Sequence, residues 1–422
     1  MNGRGASRGL FFADVAYRRW FAADTASAAG LALRGIAVSM VAYQISGSTA
    51  LAGLLGTLSQ VVQQAAAVFG GTLIDRHDRR TLVVLNAAVS GCGWLVVCVL
   101  LISGRLSYLA FLIVCCLLSM INGLLGKATE AMLRSIVSVE RYPQARSINE
   151  GRDATVSMAG GPVGGLLYAM VPFLPFLTMT ALYAIAGASA LCIPSGKALR
   201  GRQQGAEESD SSDTAFLHDL IEGWKWTVHQ RLLVSLVAVA CLMNFGINGM
   251  LYAIQLHLVS NGTNPARIGL IDTGTGIVIL CGSLISTRIA TRMPVGIALI
   301  CTLACYTVCM APMLFTDNYT IVLLCSSAAF LPFPLFNATA MGFIFAKTPV
   351  ALQGRVSTAV SIPAQALSMF TQLLAGLLLP VGGFGMTMFV FVIAVVAALM
   401  IVLIAPRLRS IPSAQHWGSS TL

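Results

Sequence analysis

The sequence predicts an all-α membrane protein of twelve transmembrane helices, arranged as two pseudo-symmetric six-helix bundles. Three observations lead there: a composition too apolar for a water-facing surface, twelve apolar runs of spanning length, and an internal repeat. Of the 422 residues, 57% are hydrophobic and only 10% charged, whereas a soluble domain carries about 25% charged residues. That balance excludes a cytosolic enzyme, a secreted disulfide scaffold and a disordered chain. A spanning helix takes about 20 apolar residues, so a chain of this length holds about a dozen of them with short loops.

Read in order, the apolar runs are 17–45, 49–74, 81–103, 106–131, 146–170, 173–194, 231–259, 265–291, 295–315, 319–346, 352–380 and 384–405. The breaks between them carry turn and cap residues, as at Gly47-Ser48, Ser103-Gly104, Pro172 and Asn261-Gly262, which end a helix locally. One long polar insert divides the runs into two sets of six. It gives an N-terminal bundle over 1–194, a cytoplasmic linker over 195–230 and a C-terminal bundle over 231–422. The linker is rich in Ser, Gly and Gln and carries Glu207, Glu208, Asp210 and Asp213, the composition of a solvated connection. Its later part, 216–227, reads as an amphipathic helix on the membrane surface.

The two halves echo each other. Arg19 opens span one and Arg231 opens span seven, 212 positions later; Gln144-Ala145-Arg146 leads into span five and Gln353-Gly354-Arg355 into span eleven, 209 positions later. A parallel repeat of six spans is a transporter architecture, with the substrate site at mid-membrane between the halves.

Charge placement gives the orientation. With twelve spans both termini lie on one side, and that side collects 23 of the 26 Lys and Arg residues; Arg105 and Arg267 fall on the other and Arg34 lies inside span one. Basic residues gather on the cytoplasmic side, so both termini are expected in the cytoplasm of a multi-pass plasma or inner membrane protein. The net charge of +10 then reports topology and calls for no nucleic-acid partner. Residues 1–16 are polar and basic without a following cleavage site, so no signal peptide is expected. The eleven cysteines lie in apolar stretches without a CxxC pair. Cys301, Cys305 and Cys309 share a helical face but no histidine or carboxylate accompanies them, and no metal or cofactor is expected. No HExxH, nucleophile elbow or phosphate loop occurs, which argues against an enzyme.

Between spans two and three the chain reads Gly71-Thr72-Leu73-Ile74-Asp75-Arg76-His77-Asp78-Arg79-Arg80. This resembles the signature loop of the major facilitator superfamily at every fixed position, and in the place where that family carries it. Gly160-Gly161-Pro162-Val163-Gly164-Gly165 in span five is similar to the Gly-Pro motif of antiporters in the superfamily, although Ser157 and Leu166 stand where glycines are usual. The alternative reading of those small residues is close helix packing. Leu220-Ile221-Glu222-Gly223-Trp224 and Gly354-Arg355-Val356 resemble the branch holding the enterobactin exporter and macrolide efflux pumps. Where that branch often has an acidic residue, Leu31 follows Gly30. The resemblance implies a major facilitator fold with a cytoplasmic gate at Gly71, Asp75, Arg76, Arg79, Arg80 and Arg355, and Glu130, Arg146 and Glu150, near the cytoplasmic ends of spans four and five, read as an ion-pair cluster serving the same gate. In it Asp75 meets the positive helix N-terminus at Arg355, and Arg79 and Arg80 pair with Glu130 or Glu140.

Polar residues at membrane depth are costly and mark functional positions. Arg34 lies about 20 Å from the cytoplasmic end of span one, at 1.5 Å per residue, and needs a carboxylate, an anionic substrate or water. Asp24 is about 15 Å away along the same helix and cannot be its direct partner. Span two carries Gln60, Gln63 and Gln64; span seven carries Asn244, Asn248 and Tyr252 on one stripe; span ten carries Phe333 and Asn337 beside a Pro332/Pro334 kink. With Arg34 these form the expected substrate site. Asp24 and Asp272 are the deepest carboxylates and the candidates for proton coupling. The sequence thus reads as a secondary active transporter, a monomer in the lipid bilayer working by alternating access. By resemblance it is a proton-coupled exporter of a small organic molecule, a siderophore or an amphiphilic drug. The alternative is an importer of an anionic nutrient or metabolite on the same fold.

Overall fold

A computed structural model of the chain describes residues 14–138, 141–193, 225, 228–348 and 353–415. Glu140, nearly all of the 195–230 linker with its expected surface helix, and the side chains of Asp75, Arg134 and Arg355 lie outside the described residues.

Helix is the regular structure throughout the described residues. α1 (Val15–Ser46) starts at Asp14, whose carboxylate accepts from the Ala16 N–H at 2.8 Å. It stops at Gly47, whose φ of 64° lets its N–H turn back to the Tyr43 carbonyl, a left-handed cap that costs glycine nothing. α2 (Thr49–Arg76), α3 (Arg79–Ile102) and α4 (Tyr108–Leu125) follow, the last capped by the Ser107 hydroxyl. A short α5 (Ala128–Ile136) continues span four, then come α6 (Tyr142–Met170) and α7 (Leu174–Leu191). The second half holds α8 (Arg231–Ser260), α9 (Pro265–Ile289), α10 (Val295–Met310), α11 (Tyr319–Ala329), α12 (Phe333–Lys347), α13 (Gln353–Ala366), α14 (Thr371–Ile404) and α15 (Pro406–Arg409).

Helix occupies each of the twelve expected runs, and among the described residues ten stretches are long and apolar enough to cross a membrane. The difference has two sources. α6 is too polar to be counted, because Arg146, Glu150, Arg152 and Asp153 sit in its first half and a Gly-Pro-rich segment in its second. Spans eleven and twelve merge into one apolar stretch, Ile362–Ile404, bent where the sequence breaks: Gly383 takes φ 69° after Pro380. Span ten divides at its prolines. α11 ends at Ala329 and α12 begins at Phe333, so Pro332 and Pro334 occupy a helix start, where their missing N–H is not needed.

The helices cluster into two compact units: Met1–Gly47, Leu58–Ser209 and Thr263–Gly269 form the first, and Ser48–Thr57, Asp210–Gly262 and Leu270–Leu422 the second. In the first, α1 lies along α6 and α7, and α3 along α7. Its core joins Tyr17, Trp20 and Ala23 of α1 to Ile74, Leu82, Leu125 and Leu133. The buried Trp20 indole N–H is satisfied by the Thr129 carbonyl at 2.8 Å. The span-five motif packs closely: a Cβ on Gly160 would strike the backbone of Ala32, and one on Gly165 the Pro265 carbonyl. That is the helix-packing use of small residues.

In the second unit α8 lies along α14, and α10 along α12 and α14. The first turn of α2 belongs here, held by Thr49 Oγ1 donating to the Gly376 carbonyl at 2.9 Å. A Cβ on Gly376 would collide with the Thr49 carbonyl, and backbone cannot step aside as a flexible side chain can. Gly376→Val should therefore destabilise the unit by about 1–3 kcal/mol, read as a lower thermal midpoint in detergent. An unchanged midpoint would mean these helices separate without cost.

Candidate functional site

The first unit carries a half-open cavity of about 640 Å³ lined by residues of α1 to α7, within the size range of small-molecule sites. Close backbone approach builds one wall. A Cβ on Gly123 of α4 would strike the Gln63 carbonyl of α2, and one on Gly70 would lie 2.7 Å from the Leu124 carbonyl. With no side chains between them, α2 and α4 bring Gln63 and Asn122 together, and Gln63 Nε2 donates to Asn122 Oδ1 at 3.1 Å. Gln64 also lines the cavity.

Also at the cavity, Arg152 of α6 donates to Asp24 of α1 at 2.5 Å, with the two side chains only 9% and 19% exposed. The same guanidinium reaches Asp153 at 2.7 Å and the Thr25 hydroxyl at 3.1 Å, and lies 5.2 Å from the centre of the Phe21 ring. A pair this buried is held by several simultaneous bonds, and removing one partner strands the other charge. The partner that Asp24 lacked in sequence terms is thus Arg152. Glu130 and Arg146 line the cavity as well. Arg146 bonds Glu130 and reaches Glu150 at 3.1 Å, which assembles the expected ion-pair cluster. These three side chains are half-exposed, so the cluster contributes little to stability.

Among the described residues the expected pairing of Arg79 and Arg80 with Glu130 does not form, and Glu140 lies outside them. Arg79 donates to the Ala131 carbonyl at 2.9 Å, and Arg80 to the Leu191 carbonyl. Arg19 likewise bonds the Cys192 carbonyl. The carbonyls ending α7 lack intrahelical donors and carry the negative end of the helix dipole, while Glu130 is already taken by Arg146. Gly71 and Arg76 are exposed.

Arg34 has found a neutral partner: its Nη2 donates to Ser119 Oγ at 2.5 Å, and Ser119 donates on to the Cys115 carbonyl. It is not among the residues lining the cavity, nor is Gln60. It acts on Tyr183 electrostatically, and that residue, hydrogen-bonded to Ser90, does line the cavity. In the second unit, Asn244 and Asn248 donate to carbonyls four residues back in their own helix. Tyr252 is half-buried, Asn337 and Asp272 are exposed, and Phe333 packs edge-on against Phe330 at 6.0 Å. His257 contacts Asp317 at 3.6 Å and stacks on Phe384.

Asn86, Asn122, Asn149, Arg152 and Tyr183 line the cavity without belonging to the expected substrate site. Asn86 and Asn122 were detectable as single amides inside apolar runs, by the criterion that picked out the glutamines of span two. Asn149 sits among charges at the start of a helix and offers no such signal.

Comparison with known proteins agrees with this architecture. The profile of the Major Facilitator Superfamily matches residues 21–362. The enterobactin exporter EntS of Shigella boydii serotype 4 (strain Sb227) is 29% identical over 158 residues, which cover 36% of this chain and 37% of that protein. Crystal structures of the nucleoside transporter NupG share the fold: that of a point mutant superposes with a TM-score of 0.65 at 10% identity over 92% of this chain and 99% of that one. A second NupG structure gives 0.63 at 12% identity, covering 96% and 100%. The chain is a multi-pass membrane transporter rather than an enzyme, and it belongs to the Major Facilitator Superfamily.

Proposed function

We propose that the protein is a proton-coupled exporter of a small organic molecule, working by alternating access in the cytoplasmic (plasma or inner) membrane with both termini in the cytoplasm. The observation that carries the coupling is the Asp24–Arg152 pair, buried at the wall of a cavity of substrate size. A proton on Asp24 removes the charge that holds Arg152, and its loss restores the bond, so the wall has two arrangements that proton occupancy selects. The exposed Asp272 is the second candidate carboxylate. The export direction rests on the similarity to a protein named as an enterobactin exporter over part of its length.

The direct test uses proteoliposomes carrying an imposed pH gradient, with iron-free enterobactin as the first probe. Accumulation against the probe's own gradient, driven by opposing proton flow, supports the reading. Accumulation with proton flow in the same direction supports the importer instead.

Asp75 serves the gate, as a carboxylate at the end of α2. Asp75→Asn should lower the transport rate several-fold while leaving expression and ligand affinity nearly intact. Lost affinity with normal turnover at saturation would reverse that assignment.

A further inference from the structure

The cavity holds more polar capacity than its own bonds use. Asn86 of α3 and Asn149 of α6 both line it, each only 7% exposed, and the amide oxygen of each is buried with no donor bonded to it. Buried carbonyl oxygens are nearly always paired, so two orphans at one cavity call for a donor from outside the chain. The charges on the walls do not supply a preference for ions. Asp24, Glu130 and Asp153 are matched by Lys127, Arg146 and Arg152, and the buried Arg152 is already bound to Asp24 and Asp153. Recognition inside the cavity therefore falls to the amides. A terminal amide turns about a single broad torsion, so a ligand entering the cavity can draw each oxygen toward it.

We propose that Asn86 and Asn149 are substrate-binding residues that accept hydrogen bonds, and that the substrate presents at least two O–H or amide N–H donors, as a catechol or polyhydroxylated molecule does. This deepens the exporter reading and rests on it only for calling the ligand a substrate; the binding itself is independent of coupling and direction.

The test is made on the purified full chain in detergent, without any gradient. Catechol and its dimethyl ether, 1,2-dimethoxybenzene, have nearly the same shape, but only catechol donates. Saturation-transfer NMR titrations should show catechol binding and the ether binding at least fivefold more weakly, the effect of about one lost hydrogen bond. Asn86→Leu and Asn149→Leu should each reduce that preference, and the double substitution should erase it. Because each removes a buried amide oxygen with no partner, each should leave the ligand-free protein as stable as before or more so. A residue that merely holds the helices together would behave oppositely, losing stability on substitution. The proposal is overturned if catechol shows no preference over its ether, if neither probe binds, if the preference survives both substitutions, or if the variants unfold at lower temperature. Failure of proton-driven transport with the catechol preference intact would instead count against the exporter reading alone.

Discussion

Asp24→Asn, reconstituted in vesicles, is expected to bind substrate and to exchange it passively, yet to lose accumulation on a pH gradient. The amide keeps a hydrogen-bond acceptor for Arg152 but cannot take up and release the proton that breaks and remakes the 2.5 Å bond. Driven transport should fall to the passive rate, a loss of two orders of magnitude or more where the wild type accumulates strongly. The partner substitution behaves differently. Arg152→Met leaves the Asp24 carboxylate buried without its guanidinium, which should cost about 3–5 kcal/mol of stability. The double variant Asp24→Asn/Arg152→Met should recover most of that loss, because no charge is then stranded. If Asp24→Asn still concentrates substrate on a pH gradient, coupling lies elsewhere; Asp272→Asn is the next variant to measure.

Arg34→Lys and Arg34→Ala should both weaken substrate binding, the alanine more. A guanidinium deep in a spanning helix costs at least about 2.5–3.5 kcal/mol, and among the described residues its side-chain partner is the neutral Ser119 hydroxyl. Arg34 does not line the cavity in this conformation; we propose that in another state of the transport cycle an anionic or strongly accepting ligand oxygen supplies the missing compensation, which suits the planar fork of Arg better than the point charge of Lys. A hydroxyl-rich molecule offers such oxygens together with the donors that Asn86 and Asn149 await. The expected change is about tenfold in Kd for lysine and more for alanine, with the folded fraction checked by thermal unfolding. An unchanged Kd in both variants of a folded protein would return Arg34 to a structural role behind Tyr183.

The fold was largely legible because hydrophobic run length is a strong signal. Helices stand where the runs predicted, and even the departures follow from Pro332, Pro334 and Gly383, which the sequence marks as breaks. The candidate site was less legible, because depth along a helix is readable from sequence but the facing of one helix toward another is not. Asp24, Gln63, Gln64, Glu130 and Arg146 do meet at one cavity. Asn244 and Asn248, four residues apart in α8, each donate to the carbonyl four residues back in their own helix. The Asp24–Arg152 pair joins positions 128 residues apart, a distance that no local pattern bridges. Arg80 shows a further limit, since counting charges cannot foresee that it will bond the carbonyl ending α7.

Proton movement caused by substrate reports on coupling without an intermediate step. Vesicles containing the protein and an entrapped pH indicator are held at a fixed pH gradient, and iron-free enterobactin is added. Coupling through Asp24 predicts that the probe dissipates the gradient in wild-type vesicles, that it fails to do so with Asp24→Asn, and that proton and probe move in opposite directions. Probe transport at the wild-type rate with the gradient undisturbed would contradict it.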